Sequence, residues 1–169
     1  MAEGWLTTLA PSTRLILQGD AAVRAAAGAV FGVALAETPC RAQASGDRAA
    51  LWLGPDEQLL IAPAAEAASI AAGIESALTG LAHSLVDVSQ RQQALQVSGP
   101  HAAAILNAGC PLDLDAGVFP PGACTRTLFA KADIVLWRTG ADTFHVDVWR
   151  SFIPYVTELL QETARDFLA

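Results

Sequence analysis

The chain has 169 residues, 53 % hydrophobic and 16 % charged, with a formal net charge of −7. That length fits one domain, or two small subdomains sharing a core. The acidic balance and the lack of a basic run argue against nucleic acid, whose phosphates are bound by clustered Lys and Arg, and the apolar stretches, broken by Arg24, Glu37 and Glu66, are too short for a membrane span.

After a loose start, Arg14–Leu17 reads as a strand, and Asp20 is placed to cap a helix whose stripe is Val23, Ala27, Val30, Phe31 and Ala34. Leu35–Gly46, punctuated by Pro39, Ser45 and Gly46, reads as loop. Ala49–Leu53 and Gln58–Ala62 flank Gly54-Pro55-Asp56-Glu57, which is hairpin chemistry. Pro63 ends that hairpin, and a helix over about Ala65–Leu81 presents Ala67, Ile70, Ala71, Ile74 and Leu78 at helical spacing.

The same grammar then repeats. His83–Ser89 and Gln92–Ser98 read as two strands, and Pro100–Ala108 as a helix with Ser98 or Gly99 as its cap and Ala102, Ile105 and Leu106 as its stripe. Gly109 is expected to stop it in the left-handed conformation, with Pro111 preventing resumption. Three strands follow, Cys124–Ala130, Ile134–Arg138 and Thr143–Trp149, the last two joined at Thr139–Asp142. The final helix has Ser151 as its expected cap, Pro154 in its first turn, and Phe152, Tyr155, Val156, Leu159, Leu160, Thr163 and Phe167 along one stripe. Strand pairs each followed by a helix define an α+β fold with mainly antiparallel sheets.

Several groups invite a chemical reading. Asp87, Ser89 and Arg91 alternate along one predicted strand and place a carboxylate, a hydroxyl and a guanidinium toward a common ligand, although such residues more often cap turns or pair across strands. Thr143, His145, Asp147 and Trp149 share one face of the last strand, opposite Phe144, Val146 and Val148. No Gly-x-Ser-x-Gly accompanies the His-Asp pair, so a half-exposed face with an aromatic anchor, suited to a protein interface, is preferred to a catalytic site. Trp52 and Trp137 sit among apolar neighbours and are assigned to the core. Ser98-Gly99-Pro100 offers amides at a helix start, but no phosphate loop and no flavin or nicotinamide fingerprint is present.

Cys40, Cys110 and Cys124 are odd in number and form no Cys-x-x-Cys pair, which points to buried structural thiols and announces no metal site with His83, His101 or His145. No secretory signal opens the sequence, so a cytoplasmic location is expected. Charged residues usually make up roughly 25 % of a soluble protein. Their shortage here fits either a surface covered by a partner or a coding bias, since Ala is abundant and Lys131 is the single lysine.

The order Asp87-Val88-Ser89, Arg91, then Val97-Ser98-Gly99-Pro100 resembles the folate-binding domain of the aminomethyltransferase superfamily. The segments 48–60, 109–114, 119–138 and 144–156 together are similar to the gamma subunit family of heterotetrameric sarcosine oxidase, and 15–23 extends the likeness. Gln58 departs from it, standing where an aromatic residue is expected.

The resemblance implies a folate-binding-domain-like fold of two interleaved β-β-α-type halves. It forms one domain over 1–169, or two intertwined subdomains of about 14–82 and 83–169. It implies an accessory, non-redox subunit without catalytic residues, metal or cofactor of its own, joined to larger subunits that hold FAD, FMN, NAD and tetrahydrofolate. That complex would demethylate sarcosine to glycine oxidatively and pass the one-carbon unit to tetrahydrofolate. Folate-site candidates are Asp87, Arg91 and Asp133, the last lying where the superfamily carries Gly-Gly-x-x-Asp-Asp, here reduced to Ala130-Lys131-Ala132-Asp133. A free-standing folate-binding one-carbon protein and a binding module sharing only the fold are the alternatives, and the isolated chain is open to self-association.

Overall fold

A computed structural model describes residues 4–167. They fall into two compact units, Pro11–Gln90 and a second built from the segment up to Ala10 with everything from Arg91 onward. All strand pairings are antiparallel.

In the first unit the strands β2 (Ser12–Gly19), β3 (Ala42–Ser45), β4 (Arg48–Gly54), β5 (Glu57–Pro63) and β6 (His83–Asp87) form one sheet in the order β3-β4-β5-β2-β6. Helices α1 (Ala21–Phe31) and α2 (Ala67–Ala77) carry Val23, Ala27, Phe31, Ile70 and Ile74 into a core with Leu15, Leu17, Ala50 and Leu60. Asp20 does cap α1, its carboxylate accepting from the Val23 amide at 3.0 Å. Gly32 closes the helix at φ 76°, where a side chain would be strained. The helix therefore stops before Ala34, and Val30, expected on the stripe, is exposed.

Arg48 seals that helix end. Its guanidinium donates to the Phe31 carbonyl at 2.7 Å and to Glu66 at 2.8 Å, answering carbonyls that a helix C-terminus leaves unpaired. The Gln58 amide donates to the Ala36 carbonyl at 3.0 Å and is fully buried. A polar tether thus holds the 33–36 segment where the family resemblance suggested an aromatic ring.

The second unit has the order β1-β7-β10-β9-β8, from β1 (Leu6–Thr8), β7 (Gln92–Ser98), β8 (Cys124–Phe129), β9 (Ala132–Gly140) and β10 (Thr143–Trp149). Helices α3 (Ala102–Asn107) and α4 (Ile153–Ala164) cover one face, and Leu95, Val97, Leu106, Phe129, Leu136, Phe144, Val146, Val148, Val156 and Leu160 form the core. The pairing of β1 with β7 interleaves the units along the chain.

Several expectations are corrected. β6 and β7 are not a hairpin: β6 pairs with β2, so the units divide between Gln90 and Arg91 rather than near residue 82. Within the segment expected to be loop, Ala42–Ser45 is an edge strand on β4. Helix α3 starts only at Ala102, with His101 rather than Ser98 or Gly99 at its cap position. Gly109 is absent from the left-handed residues; it is required instead because a Cβ there would stand 2.6 Å from the Phe129 ring. Ser151 lies in a 3-10 turn, Arg150–Phe152, and makes no cap bond to α4. Trp52 and Trp137 are half-buried rather than core, and Cys40 is exposed while Cys110 and Cys124 are buried.

Candidate partner-binding site

The end of β10 is where strand, turn and helix combine into an exposed surface. Strand alternation sends Phe144, Val146 and Val148 into the core and Thr143, His145, Asp147 and Trp149 to the other face. That second face was expected to be half-exposed. His145 and Asp147 are in fact buried, and Trp149 alone of these apolar or charged side chains is open, at 45 %.

Trp149 is held on both sides. Its register partner is Gln92, and the Arg150 amide donates to the Arg91 carbonyl at 3.0 Å, which fixes Arg91 beside the strand end. The Arg91 guanidinium then lies over the indole, 5.6 Å from its centroid, a contact worth on the order of 0.5–1 kcal/mol at an exposed position. On the same sheet face, alternation from Val135 brings Asp133 toward this end, paired in register with the exposed Leu128.

Beyond the turn, α4 buries one row of apolar side chains. Val156, Leu160 and Ala164 are its buried residues. Alongside them lie Phe152, in the 3-10 turn just before the helix, and Tyr155, both exposed, with Leu159 half-buried against the core, so the single stripe read from the sequence is divided between core and surface. Phe152 is 38 % and Tyr155 36 % exposed, and their rings meet edge to face at 6.4 Å. A shallow groove continues along the helix, lined by Tyr155, Glu158, Leu159, Gln161, Glu162 and Arg165.

The remaining candidates are locally engaged. Asp87 accepts from the Ser89 amide at 2.8 Å, and the Ser89 hydroxyl accepts from the Arg14 amide at 2.9 Å, so both build a turn. Arg91 belongs to the other unit and lies on Trp149, while Asp133 is exposed.

His145 Nε2 lies 3.2 Å from Asp147 Oδ2, but the carboxylate is fully buried and unsuited to meeting a substrate. The Ser98 and Gly99 amides donate to the carbonyls of Trp5 and Asp142, so they are not available to an anion. Among the described residues no three His, Cys, Asp or Glu gather as metal ligands, and no helix is long and apolar enough to cross a membrane.

Sequence reasoning missed Arg138. It is buried at the end of β9, where Nη1 donates to the Leu114 and Phe119 carbonyls at 3.0 and 2.9 Å and Nε to Ala141 at 3.1 Å. Its row-mates Ile134 and Leu136 point into the core, and continuing that alternation would have placed Arg138 inside.

Residues 18–166 match the family described as sarcosine oxidase, gamma subunit. The sarcosine oxidase subunit gamma of Arthrobacter sp is 37 % identical over 128 residues, 76 % of this chain but 61 % of that protein, so the chain spans under two thirds of that relative's length. A chain of the heterotetrameric sarcosine oxidase from Corynebacterium sp. U-96, solved in complex with pyrrole 2-carboxylate, superposes with a TM-score of 0.90 at 30 % identity, covering 97 % of this chain and 85 % of that one. The glycine cleavage system aminomethyltransferase T from Bartonella henselae shares the fold, with a TM-score of 0.66 at 16 % identity over 92 % of this chain and 44 % of its own. With the match running from β2 to the last turns after α4, the chain belongs to the sarcosine oxidase gamma subunit family.

Proposed function

We propose that this chain is an accessory, non-redox subunit of a heterotetrameric sarcosine oxidase, assembled with larger subunits in the cytoplasm. The observation that carries the reading is the likeness, over 97 % of the chain, to a chain of an enzyme solved as a heterotetramer. In this reading the complex demethylates sarcosine oxidatively to glycine. FAD, FMN and NAD in the larger subunits supply the redox chemistry, and tetrahydrofolate receives the one-carbon unit. The gamma chain contributes packing surface. Its lack of a dinucleotide fingerprint supports a role outside electron transfer, and the local engagement of Asp87 and Arg91 supports a fold kept without folate binding.

Co-expression with the larger subunits tests this reading. The expected result is copurification in fixed proportion with sarcosine oxidase activity, while the chain purified alone is colourless. A larger-subunit complex that assembles and turns over without ever taking up this chain would overturn it. The free-standing folate reading makes the opposite forecast, micromolar folate binding to the isolated chain that Asp133→Asn removes in calorimetry.

A further inference from the structure

We propose that two copies of this chain join edge to edge through β6, in a two-fold antiparallel pairing centred on Leu85 that makes one ten-stranded sheet from two five-stranded ones. The proposal concerns the chain by itself and stands apart from the subunit reading. β6 ends its sheet, with β2 as its one strand neighbour among the described residues. Two backbone bonds show which of its residues face the open edge. The Val88 amide donates to the Arg14 carbonyl at 2.8 Å, and the Gly19 amide turns the other way, to the Asp56 carbonyl at 3.0 Å. Antiparallel ladders alternate, so in the observed register Ile16 and Gln18 bond Val86 and Ser84. The amides and carbonyls of His83, Leu85 and Asp87 therefore point outward.

A row of outward backbone groups is a template for another strand, and side chains decide which strand fits. In the two-fold register Leu85 meets Leu85 of the second copy, and His83 meets Asp87 in both directions, each pair exchanging two backbone bonds. Both ring nitrogens of His83 face acceptors, the Leu81 carbonyl and the Glu75 carboxylate, so the ring is a cation when both bonds are made. It then stands opposite the exposed Asp87 carboxylate of the second copy, a favourable cross-strand pair. On the other face Val86, 49 % exposed, meets the small and exposed Ser84. β6 carries no Pro, Lys or Arg, the residues that blunt an edge.

The other three sheet edges fail the same fit. β1 and β3, three and four residues long, turn out only Leu6 and Thr8 or Ala42 and Ala44. β8 turns out Cys124, Arg126 and Leu128, and a two-fold pairing there sets Arg126 against Arg126, a like-charge pair. The net charge of −7 on each copy opposes any approach, but about 0.15 M salt screens it beyond roughly 8 Å.

Sedimentation equilibrium of the full chain purified alone, from about 1 μM to 1 mM at that salt, reads the association. The mass is expected to rise toward that of a dimer with concentration. Val86→Lys places two lysines diagonally across the two-fold axis and should weaken dimerisation by roughly tenfold, with thermal unfolding little changed because the side chain is exposed. Leu128→Lys, on the β8 edge, should leave the dimer unchanged. Hydrogen exchange reads the register: the Leu85 and Asp87 amides should slow as concentration rises, whereas those of Ser84 and Val86, already bonded to β2, should not. A chain that stays monomeric throughout, a dimer that Val86→Lys leaves intact, or one that Leu128→Lys dissociates would each overturn the proposal. So would Leu85 and Asp87 amides that slow only when the larger subunits are added, which would give the edge to a strand of another protein.

Discussion

Cε2 of Phe129 lies 2.6 Å from the point where a Cβ on Gly109 would stand, and the ring is fully buried. The backbone there cannot yield, because the Gly109 carbonyl accepts from Ala130 at 2.7 Å and its amide donates to Leu106 at 3.1 Å. Gly109→Ala is therefore expected to cost about 1–3 kcal/mol by overpacking, lowering the unfolding midpoint by about 2–4 °C per kcal/mol for a chain of this size. Adding Phe129→Leu should recover part of the loss if ring contact is the cause, and thermal melts of the single and double variants measure it.

Arg138 is a buried cation satisfied by carbonyl oxygens of Leu114, Phe119, Gly140 and Ala141, with its guanidinium 5.0 Å from the Phe144 ring centroid. It pins the 114–119 stretch of the α3–β8 connection to the β9–β10 turn. Arg138→Met keeps the volume but strands those carbonyls, at about 3 kcal/mol in total. Arg138→Lys should do little better, since an ammonium cannot reproduce the guanidinium's fixed fork. Urea denaturation gives the stability loss, and limited proteolysis should find new cleavage between residues 110 and 123.

The elements legible in the sequence are those whose burial is one-sided and local. β10 was read with its observed bounds because Phe144, Val146 and Val148 alternate with polar neighbours, and the start of α1 because Asp20 caps it, whereas its end at Gly32 was missed by a stripe carried on to Ala34. β1 and β3 were not legible: three and four residues long, at sheet edges, they are defined by backbone pairing rather than by an apolar pattern. The assignment of β6 to β2 instead of β7 is likewise long-range, and no turn signal at 88–91 encodes it. Trp149 was read as an aromatic anchor on the outward face of the last strand, and it stands 45 % exposed there. The division of the α4 stripe into buried and exposed side chains was not read, because both are apolar and the choice between them belongs to tertiary packing.

The thiols separate by position. Cys110 and Cys124 are buried, whereas Cys40 is exposed in the loop before β3 with φ 57°. In the folded chain a maleimide reagent is expected to add to one cysteine quickly, and mass mapping should place it at Cys40. Cys40→Ser should abolish fast labelling, while fast modification of Cys124 would contradict the packing of β8.

His83 ties α2 to β6 through a charge state. Its Nδ1 lies 2.8 Å from the Leu81 carbonyl oxygen and its Nε2 3.0 Å from the Glu75 carboxylate. Both partners only accept, so both ring nitrogens donate at once in the imidazolium form alone. The backbone carbonyl, then the Glu75 bond, raise the pKa above 6.5 against an opposing desolvation. A pKa raised on folding means that the folded chain holds the proton more tightly than the unfolded one. The stabilisation is thus complete below the unfolded value of 6.5 and is lost as pH rises through the higher folded value. Urea midpoints measured from about pH 6 to 8.5 should fall with rising pH through this group. In His83→Gln, which cannot take up the proton, that part of the slope should vanish, and Glu75→Gln should narrow the window by removing the second cause. A wild-type slope that persists unchanged in His83→Gln would assign the pH dependence to another group.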